Sequence, residues 1–216
     1  MAFENRSKGK FITISGEKGK FCESVEANTP DAVTRTNKVG RVVHELFHDS
    51  FVGKLVGIRT KESAEYGKSW IFDFQDIDTS EMYHLQLSYS NSFATAFLKM
   101  LPNIDLTQLI KLSPSAKLVD GKNQTALFVN QNGAPVKHAY TRENPNGLPD
   151  MVKITVKGKE TWDDSDRLAY LENMVNTVII PKLDNAKPIT TTQPVAESND
   201  FSNYSDPVAL DDDPGF

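Results

Sequence analysis

The sequence has a single cysteine and no long apolar run, and each shortage excludes a class of protein. Cys22 is alone among 216 residues, which rules out an internal disulfide and any multi-cysteine zinc or iron–sulfur centre. A reducing cytoplasm is therefore expected. No stretch of about 18 apolar residues occurs, so no transmembrane helix is expected. The first residues, Met1-Ala2-Phe3-Glu4-Asn5-Arg6-Ser7, lack an apolar segment, so no secretory leader is expected. The sequons at Asn5, Asn123 and Asn203 then read as chance. Also missing are the phosphate-binding Gly-x-x-x-x-Gly-Lys-Ser/Thr loop, a dinucleotide fingerprint and a Gly-x-Ser-x-Gly elbow. Apolar residues make up only 38% and mean hydropathy is -0.43, so a core is expected over part of the chain.

Charge is present but uneven. The net charge is -5, yet residues 184–216 hold seven acids and one base. That segment carries -6 and leaves +1 on residues 1–183. The acidic pI of 5.4 thus covers a near-neutral body joined to an acidic tail. Such asymmetry points to nucleic-acid partners. From Asn185 to Pro214 the tail is rich in Thr, Pro, Ser, Asn and Asp, without apolar periodicity. It is expected to be disordered. The expected organisation is one folded domain over 1–183 and a tail over 184–216.

The body reads as mainly β. Lys10–Ser15 and Lys20–Val25 flank a Gly/Glu/Lys turn, and Phe51–Lys61 is rich in β-branched residues. Ser69–Asp76 alternates with Trp70, Phe72 and Phe74 on one face; Glu81–Tyr89 alternates with Tyr83, Leu85, Leu87 and Tyr89. A helix is predicted over 92–101, capped by Ser92 and stopped by Pro102. Leu106–Leu112 reads as a strand. Segments 126–129 and 135–140 flank an Asn130-Gln131-Asn132-Gly133 turn, and 151–156 is a further strand. The clearest helix starts at Asp163, Asp164 and Asp166 and carries Leu168, Leu171, Val175, Val178 and Ile179 on one stripe. Pro181 and Pro188 mark its exit. From residue 51 the order is strand, strand, strand, helix, strand, hairpin. That is the order of a small Greek-key barrel of the OB (oligonucleotide/oligosaccharide-binding) type. The expected fold is mainly β: an OB-fold-like five-stranded barrel with additional N-terminal strands, a helix between strands 3 and 4, and a C-terminal helix.

The last six residues are Asp211, Asp212, Asp213, Pro214, Gly215 and Phe216. Carboxylates beside a stiff proline and a terminal ring suit a basic rim around an apolar pocket on a partner. Here the sequence resembles the bacterial and phage single-stranded DNA-binding (SSB) proteins, in which an OB-type core is followed by a polar linker and an acidic tip ending in Phe. The likeness covers the tip, and the element order of the body accompanies it. It implies a non-enzymatic protein, without cofactor or metal, that coats and protects single-stranded DNA in replication, recombination or repair. Asp211, Asp212, Asp213, Pro214 and Phe216 would recruit replication or recombination proteins. Gly215 stands between Pro214 and Phe216, where the bacterial pattern has Pro directly before Phe. That departure points to a phage-encoded member acting in the host cytoplasm, with no membrane partner. Removing residues 206–216 is expected to raise DNA affinity, because the carboxylates can imitate phosphates in the chain's own groove.

An unpaired strand needs cations for its phosphates and exposed rings for its bases. Around the 51–76 strands the candidates are Lys54, Arg59, Lys61, Tyr66, Lys68 and Trp70. Around the later hairpin they are Lys122, Phe128, Lys137, Tyr140 and Arg142. Tyr66 and Trp70 flank a basic loop and are the preferred stacking platforms, with Tyr140 as a third. Against this, Trp70 shares a face with Phe72 and Phe74, the pattern of a core. Loops 61–68 and 117–125 would border the cleft.

A competing pattern is His44-Glu45-Leu46-Phe47-His48, an H-E-x-x-H motif. On a helix it would place two imidazoles on one zinc with Glu45 activating water, as in a zinc metallopeptidase. Phe51 begins a strand only three residues later, which leaves room for a short helix at most; the alternative is a β segment with two surface histidines. Asp73, Asp76 and Asp78 could hold Mg²⁺ as in a nuclease, but read equally as a strand-end turn.

Overall fold

Alternating side chains build most of this molecule. The computed structural model describes residues 9–37, 40–156 and 158–185; the acidic tip, where partner binding is expected, lies outside them. Four N-terminal strands come first: β1 (Lys10–Ser15), β2 (Lys20–Ser24), β3 (Val33–Thr36) and β4 (Val42–His48). A meander follows, with β5 (Phe51–Ser63), β6 (Gly67–Gln75) and β7 (Met82–Ser88). Then come α1 (Ser92–Met100), β8 (Ile110–Val119), β9 (Lys122–Gln131) and the two-residue β10 (Ala134–Pro135). Last are β11 (Val152–Val156), β12 (Lys159–Asp163) and α2 (Ser165–Met174). After α2 the helix runs on through a π-helical stretch, Val175–Ile179, into α3 (Ile180–Asp184).

Ten strands form one mixed sheet in the order β10-β9-β8-β5-β6-β7-β1-β2-β4-β3. Mainly β architecture, extra N-terminal strands, a helix between the third and fourth strands counted from β5, and a C-terminal helix are all present. The sheet is not closed, which corrects the expected barrel. The physical reason is the second edge of β7: β1 occupies it in parallel, with Lys10 opposite Tyr83 and Ile12 opposite Leu85. No edge is left there for the last strand of a five-stranded barrel. The sheet nevertheless curls until the β1–β2 turn meets β8. A Cβ on Gly19 would collide with the Ser115–Ala116 backbone, and Gly19 has φ +60°. Only glycine suits both demands.

The inner face of the curl holds the core. Trp70, Phe72 and Phe74 of β6 are 0–1% exposed and pack with Leu55, Leu85, Leu87 and Phe21. Helix α1 adds Phe93, Phe97 and Met100, with the Phe97 ring edge-on to Phe72 at 5.0 Å. Leu171, Val175 and Ile179 seal one side. Several local expectations change. The cap of α1 is Asn91, whose side chain accepts from the Phe93 and Ala94 amides, rather than Ser92. The main C-terminal hairpin turns at Asp120-Gly121, both with positive φ (49° and 76°), so 117–125 is strand and turn rather than loop. The Asn132-Gly133 turn joins only the short β9–β10 pair. The helix also continues through Pro181. Proline clashes with the carbonyl four residues back, and the wider π turn directly precedes it. That turn throws Val178 outward, 40% exposed, off the predicted stripe.

Candidate nucleic-acid interface

The outer face of the meander builds a site from three cross-strand rows. Lys61 lies opposite Ser69, which lies opposite Ser88. Arg59 lies opposite Ile71, and Ile71 opposite Gln86. In the third row Gly57 faces Asp73, Asp73 faces His84, and His84 faces Phe11 of β1. Strict alternation produces this face: the same strands point Trp70, Phe72, Leu85 and Leu87 inward. The third row is polar and interlocked. His84 Nδ1 is 2.5 Å from one Asp73 oxygen, and Arg59 donates to the other. The bare Cα of Gly57 leaves room for that carboxylate, since a Cβ there would come within 3.1 Å of it.

Two rings stand in solvent over this face. Phe11 is 53% exposed and Tyr66, on the β5–β6 turn, is 75% exposed. The Phe11 ring rests on His84 with centroids 4.9 Å apart. Both rings line one open cleft of about 450 Å³, whose polar lining is Thr13, Ser24, Ser69, Gln86, Ser88 and Asn91, beside the apolar Ile12, Ile14, Cys22 and Leu87. Gln86 Nε2 donates to Ser69 Oγ across its floor. The cleft therefore offers two platforms of aromatic face, hydroxyl and amide groups, and the exposed cations Arg59 and Lys61 on the same face. Such a set can stack bases, bond to base edges and meet phosphates. A hydrogen bond to Glu65 holds the Tyr66 phenol above its ordinary pKa.

The sequence-predicted residues divide. Arg59, Lys61 and Tyr66 come together on this face. Trp70 does not: it is 1% exposed, stacked on Tyr89 at 5.4 Å, and its indole donates to the Tyr89 carbonyl. A platform needs a free face, so the stacking role expected of Trp70 is withdrawn, and the same holds for Tyr140 at 8% exposure, edge-on to Tyr170. Lys54 is 4% exposed; its charge helps hold the Asp105 carboxyl low, after two hydrogen bonds from Thr107. Lys68 is engaged within the fold, 2.6 Å from Glu172 Oε2 and 4.3 Å over the Tyr89 ring. Lys122 sits at the exposed tip of the β8–β9 hairpin, and Phe128 is half-buried on β9. Lys137 is exposed, its carbonyl accepting from Asn103. Arg142 lines a separate pocket with Lys99, Asp150 and Arg167. None of these four borders the cleft. Phe11 was not among the expected residues. Its signal was available: in Lys-Phe-Ile-Thr-Ile-Ser the isoleucines hold one face, which leaves Phe11 on the other.

His44-Glu45-Leu46-Phe47-His48 is strand β4. In a strand, positions i and i+4 lie roughly 13 Å apart, whereas zinc binds imidazole nitrogen at about 2 Å. Each side chain has another partner. His44 Nδ1 meets Thr34 Oγ1 at 2.8 Å, and His48 meets Glu23 at 3.4 Å. Glu45 is buried on the opposite side, held by Arg35 at 2.5 and 2.6 Å, and this pairing sets its carboxyl below the usual range. Burial, with the Glu45 carboxylate beside it, pushes the Cys22 thiol up to about 11. Among the described residues no cluster of three or more metal-ligating side chains occurs. Asp76 caps its own turn by accepting from the Asp78 and Thr79 amides. Among the same residues no helix is long and apolar enough to cross a membrane. No family model, curated protein or solved structure matches the chain.

Proposed function

We propose that this chain is a single-stranded DNA-binding protein whose strand lies across the outer face of β1, β7, β6 and β5. The carrying observation is the pair of solvent-facing rings, Phe11 and Tyr66, on one polar cleft with Arg59 and Lys61 on the same face. An exposed phenylalanine on a strand has no role in the core, whereas a base stacked on it gains without any requirement on sequence. Lys61 and Arg59 supply the phosphate contacts. The hydroxyls and the Gln86 amide hold base edges by interchangeable hydrogen bonds. Arg59 shares its charge with Asp73, which tempers the site: a strand that recruits Arg59 must leave His84 as the carboxylate's remaining partner.

The connectivity supports the same reading. Strand order β9-β8-β5-β6-β7, with α1 between β7 and β8, matches the order expected of an OB-type Greek key, and OB folds bind oligonucleotides on the face of their second and third strands. Those strands correspond to β6 and β7. The function proposed is protection of unpaired DNA during replication, recombination or repair, without catalysis, in the cytoplasm of a cell or phage host. The acidic tip, Asp211 to Phe216, would recruit partner proteins. The direct test is a titration of fluorescent oligo-dT at two salt concentrations. Binding that weakens steeply with salt is expected; no binding at low salt refutes the proposal.

A further inference from the structure

Strands β11 and β12 form a two-stranded sheet of their own, apart from the ten-stranded sheet. Such a hairpin is marginal in water and needs a third strand or a packed face. All five residues of β11 are exposed, including Val152 (56%), Ile154 (37%) and Val156 (49%), which share one face. One edge of β11 pairs with β12; among the described residues no strand covers its other edge. An open, apolar edge of this kind is a template for strand addition.

We propose that this edge is an interface with a second copy of the chain, β11 pairing antiparallel with β11 about a two-fold axis at Ile154. The edge is self-complementary, which favours a second copy. The apolar order Val152-x-Ile154-x-Val156 reads the same in both directions. In this register Ile154 meets the partner's Ile154, and Val152 meets the partner's Val156. Lys153 meets the partner's Thr155, so no like charges face each other across the seam. Lys153 pairs with Glu160 of its own chain at 3.4 Å, so its charge is already met and adds no repulsion at the seam. The product is a four-stranded sheet with one continuous apolar stripe and a closed two-fold contact.

Sedimentation and cysteine crosslinking of the full chain test this. Directly opposed residues in an antiparallel pair suit a disulfide, and the native Cys22 is buried, 6% exposed. Under diamide, Ile154→Cys is expected to link to itself. Val152→Cys mixed with Val156→Cys is expected to form the heterodimer, each alone linking far more slowly. The wild type should sediment as a dimer, and Ile154→Lys, folded by circular dichroism, should raise the dissociation constant at least roughly tenfold. If that variant fails to fold, the crosslinking decides. A monomeric wild type, a dimer that Ile154→Lys leaves intact, or Ile154→Cys linking no faster than Val152→Cys alone overturns the proposal.

Discussion

Replacing Phe11 by alanine tests the proposed cleft at its most exposed apolar point. The ring is 53% exposed, lies on the outer face of β1 and touches His84 from above. Its neighbours Ile12 and Ile14, which anchor β1, point the other way and are 5% and 7% exposed. The substitution should therefore cost the fold no more than about 0.5 kcal/mol, as at an ordinary surface site. Loss of one base–aromatic stack is worth about 1–3 kcal/mol, which is roughly a 5- to 150-fold weaker dissociation constant. Anisotropy with labelled oligo-dT measures it, and Tyr66→Ala should fall in the same range. The salt slope should not change, because neither ring neutralises a phosphate. Trp70→Phe is the control: with its indole sealed at 1% exposure, it should lower the melting temperature and leave affinity alone. If Phe11→Ala and Tyr66→Ala both bind within about twofold of wild type, while Trp70→Phe weakens binding, the stacking argument fails.

Lys61→Ala should reduce the magnitude of the slope of log K against log salt by about 0.7, the single-strand value for one phosphate contact. Gly19→Ala should lower stability by about 1–3 kcal/mol in denaturant unfolding, from positive φ and collision with the β8 backbone. Glu172→Gln should lower the melting temperature without changing DNA affinity, because Glu172 joins Tyr89 and Lys68 to α2 and lies away from the cleft. Burial opposes the charge of Glu172, but hydrogen bonds from Lys68 and Tyr89 outweigh it and hold its carboxyl below the ordinary 4.5; Arg35 does the same for Glu45. A depressed carboxyl stabilises the fold above its unfolded pKa and loses that contribution as pH falls through the folded value. Melting temperature should therefore drop below about pH 4.5, and Glu172→Gln should shallow that drop.

The regular strands were legible because alternation is local. Trp70, Phe72 and Phe74 at every second position announce an inward face, and the same pattern argued against Trp70 as a platform. The β8–β9 hairpin was also written in the chain, at Asp120-Gly121, but the equally good Asn132-Gly133 turn drew the assignment twelve residues on. What was not legible is contact between distant segments. Lys68 is absorbed by Glu172, 104 positions away, and no local pattern separates it from Lys61, which stays exposed. The parallel pairing of β1 with β7 joins segments some seventy residues apart, and it is this pairing that keeps the sheet open. It also sets Phe11 beside His84 and so completes the cleft. The H-E-x-x-H motif shows the converse: the letters match a helix site, yet Val42, Val43 and Phe47 favour the strand that forms.

Photocrosslinking reads directly which face meets DNA. An oligo-dT carrying 5-iododeoxyuridine, irradiated in complex with the full chain and mapped by peptide mass, should attach to Phe11 or Tyr66. Attachment only to Phe128, Arg142 or the β11–β12 hairpin, with both rings unmodified, would place the strand elsewhere and contradict the account.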